Sequence, residues 1–177
     1  MSYINAQDRS LRLALLSNFL LSELLVSRTR EDYRLWLISP WITNFGLAVP
    51  EHGDVSALVD TAEPRPRLFD VLRQIAINGG DIAILVRTER KPDRVERFIA
   101  PLQALASDLH IAVRQSADLH AKIYAGQCGV LYGSLNLTRS GVTRNLEFGA
   151  YASDDRTVAR LRAEAESLFD TGKDLQR

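Results

Sequence analysis

The sequence has 177 residues, which suits one domain and leaves little room for two, so we expect residues 1–177 to form a single domain. Hydrophobic residues make up 46% and charged residues 25%, the profile of a soluble globular protein with a core of useful size. Basic and acidic residues number 22 each. This zero formal net charge argues against a protein that coats nucleic acid by bulk charge, although it leaves a local basic groove open.

The segment from Leu11 to Val26 is rich in leucine, and several of its leucines fall on one helical stripe. These are Leu13, Leu16, Leu20 and Leu24. The pattern predicts a helix with a wide apolar face. We interpret this face as packing in the core, and the alternative is that it forms a dimer contact. Ser17, Asn18 and Glu23 make the segment too polar to span a bilayer, and the segment is also too short. Because no cleavage site follows it either, we expect neither a signal peptide nor a membrane span.

Cys128 is the only cysteine, so no internal disulfide can form, and the cytoplasm is the simplest expected location. The three histidines are scattered and show no metal-ligand spacing, so the sequence predicts neither a metal nor a cofactor. Two of them are poor catalytic candidates. We interpret His52 as exposed or substrate-facing and His110 as structural.

Apolar runs and turn residues predict the remaining elements. The predicted strands are Tyr33–Ser39, Ile82–Val86, Ile111–Val113, Leu119–Ala125, Gly129–Tyr132 and Leu146–Tyr151. The predicted helices are Leu68–Ile77, Pro92–Ala106 and Asp155–Phe169. The region from Trp41 to Pro66 is irregular, and such long loops are often functional. Because strands alternate with helices and their apolar runs are continuous, we predict an α/β fold with a mixed, mostly parallel central sheet and helices on both faces.

Five basic residues cluster where a predicted strand ends and a helix begins. They are Arg87, Arg90, Lys91, Arg94 and Arg97. Because Glu89, Asp93 and Glu96 alternate with them, we interpret this cluster as the solvated face of a helix held by ion pairs.

Two polar side chains share one face of the predicted strand Leu119–Ala125. His120 and Lys122 lie two residues apart, so strand alternation points both to the same side, while the apolar residues around them face the opposite side. An imidazole placed beside an ammonium group is unusual where the side chains serve only the stability of the fold. The arrangement therefore indicates a functional site.

The next strand runs into Gly133, followed by Ser134 and Asn136. Gly133 permits a tight backbone. Ser134 and Asn136 are two residues apart, so both side chains point to the same side and can converge on one point. Together with the preceding pair they supply an attacking group, a fixed cation and two neutral donors, as a phosphoryl centre requires. Glu147 follows on the last predicted strand, where its carboxylate can hold one nitrogen of His120 and leave the other free to attack.

This spacing resembles the phospholipase D superfamily, whose motif is H-x-K followed by G-S-x-N and a later acidic residue. The resemblance is strongest from Leu119 to Tyr151. The segment Ile38-Ser39-Pro40-Trp41, a strand end followed by Pro-Trp, also looks like the same segment in members of this superfamily. Each part alone is a weak signal, and each residue singly has a plain structural explanation, but the combination is specific. The family motif has an aspartate where this chain has Gln127. That aspartate is more a structural member, so the departure leaves the catalytic groups in place.

The resemblance implies a metal-independent phosphodiesterase that acts through a phosphohistidine. Resembling enzymes join two copies of the motif around a twofold axis, where one histidine attacks phosphorus and the other protonates the leaving oxygen. This chain has one H-x-K, so the resemblance implies a homodimer with the active site at its interface and His120 of the two subunits face to face, as in the family's small nucleases. The alternative is a catalytically idle dimer that keeps the fold to bind nucleic acid.

Small size, a single motif and the composition resemble the nuclease branch more than the lipase branch. We expect a nucleic-acid substrate, with DNA favoured over RNA, and expect Gly133, Arg139 and Arg144 to contact it near the scissile phosphate. A role in a bacterial antiviral-defence or restriction system, with a partner protein, follows from family analogy alone. A phospholipid phosphodiesterase is the second alternative, although no Lys- and Trp-rich amphipathic segment indicates membrane docking.

Overall fold

The computed structural model describes residues 2–4, 9–48, 58–61, 63, 65–107, 110–145 and 147–175. Predicted features that lie outside these residues are His52, part of the irregular region from Trp41 to Pro66, and Leu146 at the start of a predicted strand. The helices are α1 (Arg9–Ser27), α2 (Leu68–Ile77), α3 (Pro92–Arg94), α4 (Ala100–Leu105), α5 (Arg139–Thr143) and α6 (Asp155–Asp170). The strands are β1 (Ser2–Ile4), β2 (Arg34–Ile38), β3 (Asp81–Arg87), β4 (Ile111–Ser116), β5 (Ile123–Ala125), β6 (Val130–Gly133), β7 (Gly149–Ala152) and β8 (Lys173–Asp174).

The strands form one mixed sheet in the order β1-β7-β6-β5-β2-β3-β4-β8. The prediction of an α/β fold with a mixed sheet is confirmed, but the predicted predominance of parallel pairs is wrong. Only β2–β3 and β3–β4 are parallel, and the other five pairs are antiparallel. The reason is the connections: helices join β2 to β3 and β3 to β4, whereas the short turn 126–129 joins β5 to β6 and makes that pair antiparallel.

Alternate residues of β2 belong to two different cores, one on each face of the sheet. Leu35 and Leu37 pack with residues of α1 and α2, whereas Trp36 and Ile38 pack on the face covered by α6. The predicted helices on both faces are therefore confirmed. A fully buried leucine contributes about 1.5–3 kcal/mol, so burial on both sides fixes the register of the strand that leads into the site.

Helix α1 carries the predicted leucine stripe. Leu16, Leu20 and Leu24 are completely buried, which confirms the core-packing interpretation. The helix is longer than the pattern indicated, and by length and composition Ser10–Ser27 could cross a membrane, a test that the core helix of a soluble protein also passes. In this fold the helix also buries the polar side chain of Glu23.

The predicted helix Pro92–Ala106 is present but is divided by a π-helical turn, Val95–Ile99, between α3 and α4. Within this turn the N–H of Ala100 bonds the carbonyl of Val95, one residue further back than in an α-helix. Pro101 follows directly. Because its ring clashes with the carbonyl four residues earlier and it has no N–H, a wider turn is the expected accommodation.

The segments that carry the predicted site meet at one edge of the sheet, where β2, β3, β4 and β6 end and β5 begins. Strand β5 starts at Ile123, so His120 and Lys122 precede the strand, contrary to the prediction that they lie on it. The reason is that Ile38, the last residue of β2, pairs with Ile123 and leaves the preceding residues without a partner there. Likewise β7 starts at Gly149, beyond the predicted position of Glu147 on that strand.

Candidate active site

His120 and Lys122 are in direct contact at this edge. The Nζ atom of Lys122 donates a hydrogen bond to the carbonyl oxygen of His120 at 2.6 Å and lies 3.3 Å from His120 Nδ1. Lys122 is only 8% exposed, whereas His120 is exposed. Burial lowers the pKa of Lys122, and the negative charge of Glu147 opposes that effect. The pair therefore presents an accessible imidazole beside a largely buried cation.

Ser134 and Glu147 form a second contacting pair. The hydroxyl of Ser134 donates to Glu147 Oε2 at 2.5 Å and accepts the N–H of Phe148 at 2.9 Å. The other carboxylate oxygen accepts from Asn145 Nδ2 at 3.2 Å. Among the described residues Glu147 thus bonds Ser134 and Asn145, and it makes no hydrogen bond to His120, the residue it was expected to orient. Its charge nevertheless acts on Lys122.

Asn136 is the remaining polar side chain of the predicted site. It is 8% exposed, and its Oδ1 atom is buried with no hydrogen-bond partner in the described part of the chain. Buried polar atoms are nearly always hydrogen-bonded in native structures. The unpartnered Oδ1 atom can therefore accept a hydrogen bond from a donor that is not among the described residues.

Gly133 gives the site its sharp change of direction at the end of β6. Its φ angle is 147°, a region that only glycine adopts readily, and an added Cβ would overlap the carbonyl oxygen of Phe148. The next residue, Ser134, donates its N–H to that same carbonyl at 2.9 Å. The tight backbone predicted for Gly133 is confirmed, while its part in substrate binding stays a prediction.

Replacing Gly133 by alanine is expected to lower the free energy of unfolding by about 1–3 kcal/mol from backbone conformation alone, with a further loss from the overlap. Denaturant unfolding measures this change. Gly46→Ala is the matched control, since nothing lies within 4 Å of a Cβ added there; we expect a change within about 0.5 kcal/mol. Equal stability of the two variants would contradict the role assigned to Gly133.

Two buried hydroxyl groups, which the sequence did not single out, hold the backbone around Asn136. Ser39 Oγ accepts the N–H of Leu137 at 3.3 Å and donates to the carbonyl of Trp41 at 3.0 Å. The hydroxyl of Tyr124 donates to the carbonyl of Leu135. The available signal was a polar group inside an apolar strand run, because such groups usually have a partner when buried.

The turn between β5 and β6 contains Gln127, the departure from the family motif. Its Oε1 accepts from Arg162 Nη1 at 3.2 Å, and its N–H donates to the buried carboxylate of Glu23 at 2.8 Å. Glu23 also accepts the N–H of Cys128 at 2.7 Å and the hydroxyl of Tyr33 at 3.0 Å. A carboxylate from α1 therefore holds the turn of a chain that has no aspartate at the motif position. Sequence reasoning missed Glu23 because it is distant along the chain.

The two arginines predicted to grip substrate lie after the motif on α5. Arg139 is exposed and lines a cleft of about 580 Å³ together with Arg65 and Arg67. Arg67 pairs with Glu63 at 3.5 Å, whereas Arg139 has no carboxylate partner among the described residues. Arg144 is exposed at the end of α5. The structure thus places Arg139 in a basic cleft and leaves Arg144 at the surface.

His110 lies away from this edge and has the structural role expected of it. It has a φ angle of 70°, and its Nδ1 atom lies 3.1 Å from Asp81 Oδ1. The described residues contain no group of three or more histidine, cysteine, aspartate or glutamate side chains placed to hold a metal ion.

The mixed sheet, covered on both faces and carrying His-x-Lys and Ser-x-Asn at one edge, has the architecture of a phospholipase D-like domain. Residues 54–169 match the family described as cardiolipin synthase, PLD-like domain, and the chain belongs to this family. No curated protein matches the sequence.

Solved structures share the fold at low sequence identity. Nuc, a phospholipase D family member from Salmonella typhimurium, is 15% identical with a TM-score of 0.60, over 89% of this chain and 90% of that one. NucT from Helicobacter pylori is 13% identical with a TM-score of 0.53, over 91% and 94%. TrmBL2, an archaeal chromatin protein with a novel mode of DNA binding, is 12% identical with a TM-score of 0.50, over 90% and 51%. At these identities the likeness is one of fold.

Proposed function

We propose that this protein is a metal-independent phosphodiesterase that cleaves nucleic acid through a phosphohistidine intermediate formed on His120. The observation that carries the proposal is the contact between an exposed imidazole and a largely buried ammonium at the sheet edge that also carries Asn136. A nucleophile and a desolvated cation, with the amide N–H groups of Asn136 as further donors, are what a phosphodiester needs for attack and charge stabilisation. Membership of the phospholipase D-like family supports the same reaction class.

In the proposed reaction His120 Nε2 attacks phosphorus, the N–P bond forms, and the P–O bond to the leaving group breaks. Attack requires Nε2 to be unprotonated, so Nδ1 must carry the proton of the neutral ring. In the free chain the ammonium of Lys122, which can only donate, lies 3.3 Å from Nδ1 and favours an unprotonated Nδ1, so the proposed attack requires Lys122 to leave Nδ1 for the phosphate oxygens. Lys122 and Asn136 then neutralise or bond the non-bridging oxygens, and a second imidazole protonates the leaving oxygen and activates water.

The second imidazole is proposed to be His120 of an identical subunit. The described chain has no other histidine at this edge, since His110 lies at the opposite end of β3 and pairs with Asp81. A twofold axis beside the site would bring two copies of the same patch together. It would also bring donors of the second subunit towards Asn136 Oδ1, which has no hydrogen-bond partner among the described residues.

Hydrolysis of a phosphodiester reporter and nicking of plasmid DNA, both in excess chelator, are expected to proceed at the rate seen without chelator. The physical reason is that the proposed charge stabilisation comes from Lys122 and Asn136 rather than a bound cation. Loss of both activities in chelator would overturn the mechanism. Headgroup release from liposomes, with no nicking, would instead select the phospholipid phosphodiesterase, and retention of DNA without cleavage would select the idle binding dimer.

Mixing subunits tests the shared site. If one site forms from two subunits, an equal mixture of wild type and His120→Ala after subunit exchange should keep about one quarter of the activity of the same total amount of wild type. Independent sites would keep about one half. The matched mixture with His110→Asn, altered away from the site, should lose no activity.

A role in a defence or restriction system with a partner protein belongs to this proposal and rests on analogy with the family.

A further inference from the structure

A basic cleft adjoins the candidate site along the ends of β3 and β4. It has a volume of about 530 Å³, within the range of pockets that hold small ligands. Four basic side chains line it, together with Trp41, one carboxylate and two small residues. The basic residues are Arg87, Arg90, Lys91 and Arg94. They belong to the cluster that the sequence indicated to be a solvated, ion-paired helix face.

Among the described residues, ion pairing accounts for one of these four charges. Glu89 Oε1 pairs with Arg94 at 3.4 Å, and the carboxylate side chain is 8% exposed. Among the described residues no carboxylate lies within 4 Å of Arg87, Arg90 or Lys91. The interpretation of a helix face neutralised by ion pairs is therefore wrong for these three residues. They project positive charge into a concave space, which favours an anionic occupant.

An indole ring forms the aromatic wall of this cleft. Trp41 Nε1 donates to Glu89 Oε1 at 2.8 Å, which fixes the ring, and the side chain is only half-buried. The ring also lines a neighbouring cleft with Arg97 and Phe98, whose ring centroid lies 6.3 Å away. A fixed, partly exposed aromatic ring beside unpaired cations is the combination on which single-stranded bases stack while their phosphates are held.

The cleft is joined to the candidate site on two sides. Ala117 lines the cleft, and His120 follows three residues later, so the two lie within about 11 Å. On the other side, Ser39 bonds both the carbonyl of Trp41 and the N–H of Leu137, the residue after Asn136. Because this separation is about 11 Å at most, a strand whose scissile phosphate lies at the site would reach the cleft within a few nucleotides.

We propose that this cleft binds the single-stranded nucleic acid that flanks the scissile phosphate, with a base stacked on Trp41 and the adjoining phosphates on Arg90 and Lys91. The assignment rests on the proposed function, since it concerns the substrate of the same site. Single strands are specified because a base must be unstacked to meet the indole face.

The test uses the 177-residue chain carrying His120→Ala, in chelator, so that binding is measured without cleavage. The chain has two tryptophans, and Trp36 is 5% exposed in the core, so quenching of fluorescence by oligo-dT or oligo-U reports on Trp41. We expect saturable quenching by both oligonucleotides and none by the matched duplex. Trp41→Phe should abolish the quenching while anisotropy of a labelled oligonucleotide shows affinity kept within about threefold. Trp41→Ala should weaken binding about tenfold or more.

A second experiment tests the role of the basic residues by comparing two double variants, each of which removes two positive charges. Arg90→Ala with Lys91→Ala should weaken oligonucleotide binding about tenfold and reduce the slope of log Kd against log salt by about 2. Arg156→Ala with Arg160→Ala, on the exposed surface of α6 at the far edge of the sheet, should leave affinity and slope unchanged. Thermal unfolding of each variant confirms that the fold is kept.

Several outcomes would overturn the proposal. These are absent quenching, equal binding by the two double variants, or equal quenching by duplex. Retention by phosphatidylglycerol vesicles in place of oligonucleotide, lost in the Arg90/Lys91 variant, would assign the cleft to a lipid headgroup instead. Because every readout uses a protein without His120, a failure of the proposed hydrolysis would not alter these measurements, and the two hypotheses fail separately.

Discussion

Replacing His120 by alanine is expected to lower hydrolysis of a phosphodiester reporter by about 10³-fold or more, because the proposed reaction loses both its nucleophile and, in the second subunit, its general acid. Initial rates at equal protein concentration measure the effect, and size-exclusion chromatography shows whether the oligomer is kept. His110→Asn is the matched control. Its φ angle of 70° is one that asparagine adopts readily, so we expect its rate to stay within about twofold of wild type.

Lys122→Met separates catalysis from stability at the same site. The ammonium is largely buried and its pKa is lowered by burial, so an apolar side chain of similar shape should leave the free energy of unfolding unchanged or raise it. The rate should nevertheless fall by about 10²–10³-fold, because the charge on the non-bridging oxygens loses its nearest cation. A variant that is both unstable and active would contradict the assignment of Lys122 to the reaction.

Replacing Glu23 by alanine is expected to lower the free energy of unfolding by about 2–5 kcal/mol. The side chain is completely buried, and its carboxylate accepts two backbone N–H groups of the β5–β6 turn, which would be left without partners. Denaturant unfolding measures this loss. Gln127→Ala is the control, since it removes only the contact with Arg162 and keeps the N–H; we expect a change below about 1 kcal/mol. Equal effects would show that the turn does not depend on Glu23.

The pH dependence of stability gives an independent check on Glu23. Burial raises the pKa of Glu23 above 4.5, and its N–H donors oppose part of that rise. The folded chain therefore holds this proton more tightly than the unfolded chain, so the wild type should lose stability as pH rises from 4.5 through the folded-state pKa. Glu23→Gln should lack this component, and parallel pH profiles of the two proteins would contradict the raised pKa.

Sequence patterns predicted the elements and the side chains of the site for local reasons. The leucine stripe of α1 and the apolar run of β2 follow from burial at helical and strand periods, and both are confirmed. The parity of Ser134 and Asn136, with a glycine before them, likewise follows from geometry within a few residues. The chain itself therefore determined which chemical groups are available to the proposed phosphoryl site.

Only the tertiary structure decided how these groups are held and what surrounds them. Glu147 bonds Ser134 rather than His120, and Glu23 reaches the β5–β6 turn across more than 100 positions of sequence. The alternation of Arg and Glu after β3 predicted ion pairs, but the fold buries Glu89 against Trp41, and three of the cations have no carboxylate partner among the described residues. Such contacts depend on which strands become neighbours, and that is set by packing of the whole core rather than by local pattern.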